Sequence, residues 1–187
     1  MPNICIIGLG NPGIKYNGTR HNVGKDWVKS IATDHNLSLK SHKKIESTVA
    51  SSTDDKILWG YPDQYVNESG RSIKKIIKTN NFNLEQIIVI HDDLDLPAGS
   101  LKLKIGGGHG GHNGLRSIIS NSGKSFIRLR VGIGHPGNKV DVTSWVLGKF
   151  KPAEKELILE SFYKFNHIIE LLSNNEMQNA QLKLHSE

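Results

Sequence analysis

The chain has 187 residues, a net charge of +6 from 24 Lys and Arg against 18 Asp and Glu, and a single cysteine. No apolar run approaches the roughly 18 residues needed to cross a bilayer, and one cysteine excludes both an internal disulfide and a cysteine-rich zinc site. The length suits one domain over residues 1–187, and Ile4 to Ile7 runs into Gly8 with no cationic leader, so a cytoplasmic protein without a secretory signal is expected.

In chain order, the first strand signal covers 3–8, where Cys5 reads as a small apolar filler. Trp27, Val28, Ile31 and Ala32 then mark one face of a helix. Strand signals at 45–52 and 56–61 precede a second helix, with Ile73, Ile76 and Ile77 inward and Arg71, Lys74, Lys75 and Lys78 outward. Further strands are predicted at 86–91, 100–105 and 127–133, with a short helix through Leu115, Ile118 and Ile119 before the last. A long final helix starts at Pro152, carries Glu154 and Glu156 near its positive end, and places Ile158, Phe162, Phe165, Ile169 and Leu172 along one side. The last dozen residues are expected to be loosely held. Strands alternating with helices predict an α/β fold, a single domain with a twisted mixed β-sheet surrounded by α-helices.

The modest total charge conceals an asymmetry. Residues 98–151 hold nine Lys and Arg against Asp141 alone, while the rest of the chain is slightly acidic. Leu101-Lys-Leu-Lys-Ile105 and Ile127-Arg-Leu-Arg-Val131 both alternate with period two, so each buries one face and presents cations on the other. Such faces can simply be solvated. Two of them with one acid nearby favour a polyanionic partner.

Several familiar motifs fail on context. Gly8-Leu-Gly-Asn-Pro-Gly13 matches the dinucleotide fingerprint, but Pro12-Gly13 turns the chain where that fingerprint opens a helix. Gly123-Lys-Ser125 lacks the upstream glycine of a phosphate-binding loop. Ser72-Ile-Lys-Lys75 lacks the companion motifs of serine acylases. His91-Asp-Asp93 and His109-Gly-Gly-His112 offer metal-ligand types, but at a spacing of low specificity.

Polar residues gather instead at element ends: Asn11, Tyr16, His21 and Asn22; Tyr65 and Asn67; Asp92; and His112 with Asn113. A carboxylate that accepts one ring N–H of a histidine leaves the other nitrogen free to take a proton from water. Asparagines can donate to carbonyl oxygens and accept from peptide N–H groups. They are also common turn formers and caps, and Asn113 suits the N-cap of the helix that follows.

The stretches Gly8-Leu-Gly-Asn-Pro-Gly13 with Tyr16, Thr19-Arg-His-Asn-Val-Gly24, Tyr65-Val-Asn-Glu-Ser-Gly70, His91-Asp-Asp-Leu-Asp-Leu-Pro97 with Gly99, Gly106-Gly-Gly-His-Gly-Gly-His-Asn-Gly-Leu115 and Arg128-Leu-Arg-Val-Gly-Ile-Gly-His-Pro-Gly137 together cover almost the whole chain. In their order and spacing they resemble the bacterial-type peptidyl-tRNA hydrolase family. The resemblance implies hydrolysis of the ester between peptide and tRNA, with His21 as catalytic base and Asp92 orienting it. By the same resemblance Asn11 helps distinguish N-blocked from free aminoacyl-tRNA, Tyr16, Asn67 and Asn113 bind the peptidyl-tRNA end, and Tyr65 supplies an aromatic contact. Lys102, Lys104 and Arg130, with Lys139 as an addition, correspond to the tRNA-contacting surface. The resemblance implies no cofactor, no metal and a monomer. Val66 stands where many members of the family have Met, which bears on the shape of the peptide pocket.

Overall fold

The computed structural model describes residues 1–186 and is built on one seven-stranded mixed sheet in the order β2-β3-β4-β1-β5-β7-β6. The strands are β1 (Ile4–Gly8), β2 (Lys40–His42), β3 (Ser47–Ser51), β4 (Ile57–Pro62), β5 (Ile87–Asp93), β6 (Leu101–Ile105) and β7 (Ile127–Gly132). The four central strands β4, β1, β5 and β7 run parallel, while β2, β3 and β6 add antiparallel edges.

The α/β expectation holds, and the strand sequences explain why. Parallel strands covered on both sides need apolar residues on both faces. In β1, Ile4 and Ile6 face one core and Cys5 and Ile7 the other. The first core is completed by α1 (Val23–Asp34), α5 (Pro152–Asn166) and the C-terminal helices, with Trp27 stacked on Phe165 at 5.8 Å between ring centroids. The second is closed by α2 (Ser69–Asn80) and α3 (Asn113–Ser122) through Ile73, Ile76, Leu115 and Ile118. Cys5 sits fully buried there, and burial keeps its thiol protonated.

Parts of the C-terminal third differ from the sequence expectation. The long final helix is not continuous. It stops at Asn166 and resumes as α6 (Ile169–Ser173). The His167 N–H reaches Tyr163 O at a stretched 3.3 Å, and the next bond tightens, from Ile168 N to Phe165 O at 3.0 Å. Ile168 thereby takes the fully buried place that the unbroken spacing assigns to Ile169. Of the final dozen residues, those up to Ser186 are not loose either, while Glu187 lies outside the described residues. Met177–Ser186 forms α7, which buries Ala180 and Leu184. An edge strand exposes unpaired backbone groups, and α7 satisfies those of Leu103 at the middle of β6: Gln181 Nε2 donates to Leu103 O, and Leu103 N donates to His185 Nε2, both at 3.1 Å. The short β2 and α4 (Val142–Leu147) have no fully buried residue and so left no hydrophobic period to read.

The parallel strands all end at one edge, where β1 is flanked by β4 on one side and β5 on the other, the kind of switch point at which open α/β sheets bind ligands. Gly8 and Gly24, one from each of the first two motifs, serve a close approach there. A Cβ on Gly24 would lie 2.1 Å from Ile90 O, and one on Gly8 2.0 Å from Gly24 O. The start of α1 is therefore pressed against the ends of β1 and β5. Gly24→Ala is expected to destabilise the protein by about 3 kcal/mol through this overpacking, read as a fall of roughly 6–12 °C in Tm for a chain of this size. A Tm equal to that of the wild type would show that the approach is not tight.

Candidate active site

Asn11 lies just beyond β1, and almost every polar group it owns is held. Its N–H donates to Asn22 Oδ1 (2.8 Å), while its carbonyl accepts from Asn22 Nδ2 (3.0 Å) and Lys25 Nζ (3.3 Å). Its side-chain Oδ1 accepts from Val66 N at 2.9 Å. The amide orientation is thus set, and the group left over is the Nδ2 donor. Asn22 is completely buried, which marks it as the brace of this loop.

His21 sits in a 3-10 turn, Arg20–Asn22, immediately before α1. Its Nδ1 is 2.9 Å from Asp92 Oδ2 and 3.1 Å from Oδ1. An ionised carboxylate only accepts, so Nδ1 carries the proton and Nε2 keeps its lone pair. Burial disfavours the charged imidazole, but the charge and hydrogen bond of Asp92 outweigh it and raise the His21 pKa above 6.5. Burial works against the charge of Asp92 too, yet His21 and His112 hold its carboxyl well below the usual range.

His112 is a member of this cluster that the sequence reading did not single out as a site residue. Its Nε2 lies 2.8 Å from Asp92 Oδ1, and its Nδ1 accepts the N–H groups of Gly114 (3.1 Å) and Leu115 (3.3 Å). His112, not Asn113, is therefore the N-cap of α3. The ring has the right acceptor at the right distance, which corrects the cap expected at Asn113. Asn113 becomes the first helical residue, and its Oδ1 accepts from Arg116. The sequence signal was present only as a histidine beside an asparagine before a helix.

His91, also at the cavity, is buried, with Nδ1 at 2.8 Å from the Asp92 carbonyl and Nε2 without a partner. Burial first, then the neighbouring His112, push its pKa down to about 4. One ligand atom each from His21, Asp92 and His112 lie within 4.8 Å of one another. With Nδ1 of His112 occupied by two N–H donors, its Nε2 carries the proton toward Asp92, so the trio is wired as hydrogen bonds and not as a set of ligand lone pairs.

A cavity of about 920 Å³ collects His21, Asp92, Asn11, Asn67 and Asn113 with Lys104, Arg130 and Lys139. Tyr16, Tyr65 and Lys102 do not line it. Tyr16 and Tyr65 instead pack edge to face at 6.3 Å. Val66, where the resemblance expects Met, is buried and holds Asn11 through its N–H, an interaction that does not depend on its side chain.

The two basic strands do share a face, since Lys102 pairs with Arg130 and Lys104 with Arg128 across β6 and β7. The cations on it are not equivalent. Arg130 is bonded to Asp93 at 2.7 Å. Arg128 is buried and turned inward, donating to the carbonyls of Gly107 and Gly108. Arg20, next to His21, was also missed: its guanidinium lies 3.7 Å from the Trp145 ring, donates to Trp145 O and pairs with Glu154 at 2.9 Å. It ties the turn carrying His21 to α4, whose Val142, Thr143, Val146 and Leu147 form one wall of the cavity.

Comparison with known proteins agrees over the full length. The sequence model of the peptidyl-tRNA hydrolase family matches residues 5–187. A peptidyl-tRNA hydrolase of Rickettsia canadensis is 39% identical over 183 residues, covering 97% of this chain and 99% of that protein. One from Aliivibrio fischeri is 42% identical over 186 residues, covering 97% and 94%. The crystal structure of peptidyl-tRNA hydrolase from Acinetobacter baumannii superimposes with a TM-score of 0.93 at 38% identity, covering 98% of this chain and 95% of that one.

Proposed function

The chain belongs to the peptidyl-tRNA hydrolase family, and from that premise we propose that this hydrolase cleaves the ester joining a peptide to the terminal ribose of tRNA, with water activated by His21. The observation that carries the reading is the hydrogen-bonded chain His21, Asp92 and His112 at the wall of a cavity that also holds three asparagines. Nε2 of His21 takes a proton from water as the oxygen attacks the ester carbonyl. The imidazolium, stabilised by Asp92, then returns the proton to the departing ribose oxygen.

Asn11 Nδ2 donates to a carbonyl of the peptide, which places an N-blocked amino acid and gives a free amine no comparable contact. Asn67 and Asn113 contact the same end of the substrate. Tyr16 and Tyr65 form an aromatic pair outside the cavity that carries a more distant part of it. An ester leaves as an alcohol, so one oriented base with amide donors is chemically sufficient. Lys102, Lys104, Arg130 and Lys139 attract phosphates without reading sequence, as an enzyme acting on many tRNAs requires. We read the working unit as a cytoplasmic monomer.

The test is release of N-acetyl amino acid from N-acetyl-aminoacyl-tRNA, with the unblocked aminoacyl-tRNA alongside. Rapid release from the blocked ester, slow release from the free one and an undiminished rate after exhaustive chelation are expected. A rate abolished by chelation and restored by a divalent ion would overturn the metal-free mechanism, and equal rates on both esters would overturn the role of Asn11.

A further inference from the structure

Two histidines outside the hydrolytic arrangement share one construction. In His109-Gly110-Gly111 and in His135-Pro136-Gly137 the closing glycine has a positive φ, +84° and +88°, which only glycine adopts without strain. In each, that glycine's N–H donates to Nδ1 of the histidine at 2.9 Å. An Nδ1 that accepts from a backbone N–H carries no proton, so the neutral ring bears its proton on Nε2. Nε2 lies on the ring edge turned away from the bonded Nδ1. Both rings line the cavity, and neither Nε2 has a hydrogen-bond partner among the described residues.

The same cavity is less cationic than the sequence charge suggests. Arg128 is committed to the glycine loop, Nε of Arg130 is bonded to Asp93, and the acids Asp92, Asp93 and Asp95 also line it. Lys104 and Lys139 remain as cations of the cavity wall with no ion pair among the described residues. A polyanion bound there has more acceptor oxygens to satisfy than these two ammonium groups and the Nη groups of Arg130 can reach, and a phosphodiester oxygen only accepts. Rigid N–H donors answer that need without adding charge.

We propose that His109 and His135 form a pair of neutral imidazole donors that bind phosphodiester oxygens of the tRNA, each ring held in place by its own His-x-Gly turn. The proposal rests on the reading of the chain as a peptidyl-tRNA hydrolase and adds a binding element to it.

The test uses His109→Asn, His135→Asn and the double variant. An asparagine Oδ1 can accept the same N–H two residues on, so the turn survives while the far donor is removed. A melting temperature matching that of the wild type checks this. Affinity for deacylated tRNA is measured at pH 8, above the range in which imidazoles usually take up a proton, across a salt series. Each single variant is expected to bind about three- to tenfold more weakly and the double about ten- to a hundredfold. The slope of log affinity against log salt stays at the wild-type value, because no cation is lost. Lys104→Ala, by contrast, lowers that slope by about one.

Unchanged affinity in the double variant overturns the proposal, as does a slope that falls as it does for Lys104→Ala. A defect seen with peptidyl-tRNA but absent with deacylated tRNA also overturns it, since the donors then serve the peptide. Wild-type protein that neither binds tRNA nor hydrolyses the N-blocked ester would instead remove the underlying functional reading.

Discussion

His21→Ala is expected to lower kcat on N-acetyl-aminoacyl-tRNA by about 10²–10⁴-fold, the usual contribution of a positioned general base, with little change in KM. Substitution of this residue is expected to be so costly because neither neighbouring imidazole can take over. The His112 ring centroid is only 4.9 Å from that of His21, but its Nδ1 is engaged by two backbone N–H groups and its Nε2 points at Asp92. The free Nε2 of His91 is buried without a partner, and a pKa of about 4 makes it a poor acceptor for a water proton. The measurement is single-turnover hydrolysis at saturating enzyme, which separates chemistry from binding. A variant as fast as the wild type would remove His21 from the mechanism.

Asp92→Asn is expected to reduce kcat by about 10²–10³-fold and to move its pH profile, in the manner of other histidine orienters whose loss leaves the wrong tautomer. Asp92 accepts from two histidines at once. An amide at that position has one acceptor oxygen, so its NH2 must confront one of the two ring N–H groups, and His21 is driven toward the tautomer with its proton on Nε2. The pH dependence follows from the sign of the His21 shift. A base works only when neutral, so wild-type activity is present at high pH and is lost as pH falls through a His21 pKa that lies above 6.5. Without the negative charge of Asp92, burial dominates and the pKa drops. The acid limb of the variant therefore lies at lower pH, on a lower plateau. A profile that keeps its midpoint would show that Asp92 does not set the His21 charge.

The sheet was readable from the sequence because its signals are local. Continuous apolar runs in the central strands, the stripe on α1 from Trp27 to Ala32 and Pro152 at the start of α5 all act through neighbours in the chain. The edges of these signals were less readable. The break after Asn166 turns on which of two adjacent isoleucines, Ile168 or Ile169, fills the core, and periodicity alone favours the wrong one. The order of α7 comes from its bonds to β6, which join residues about 80 positions apart.

The proposed site divides along the same line. His21, Asp92 and the asparagines Asn11, Asn67 and Asn113 could be nominated from residue type, motif order and family resemblance, and the structure brings all five to one cavity. That His112 shares Asp92, that Arg20 meets Glu154 across 134 positions, and that Arg130 is paired with Asp93 were not legible. By itself the sequence determined the α/β class, the basic segment, and the residue types available for acid–base chemistry, since composition and period are properties of the chain. The tertiary structure alone decided which donor faces which acceptor, and so which nitrogen of each histidine is free and which cations remain unpaired, because hydrogen bonds and ion pairs act over a few ångströms and those distances exist only once the sheet has brought distant segments together.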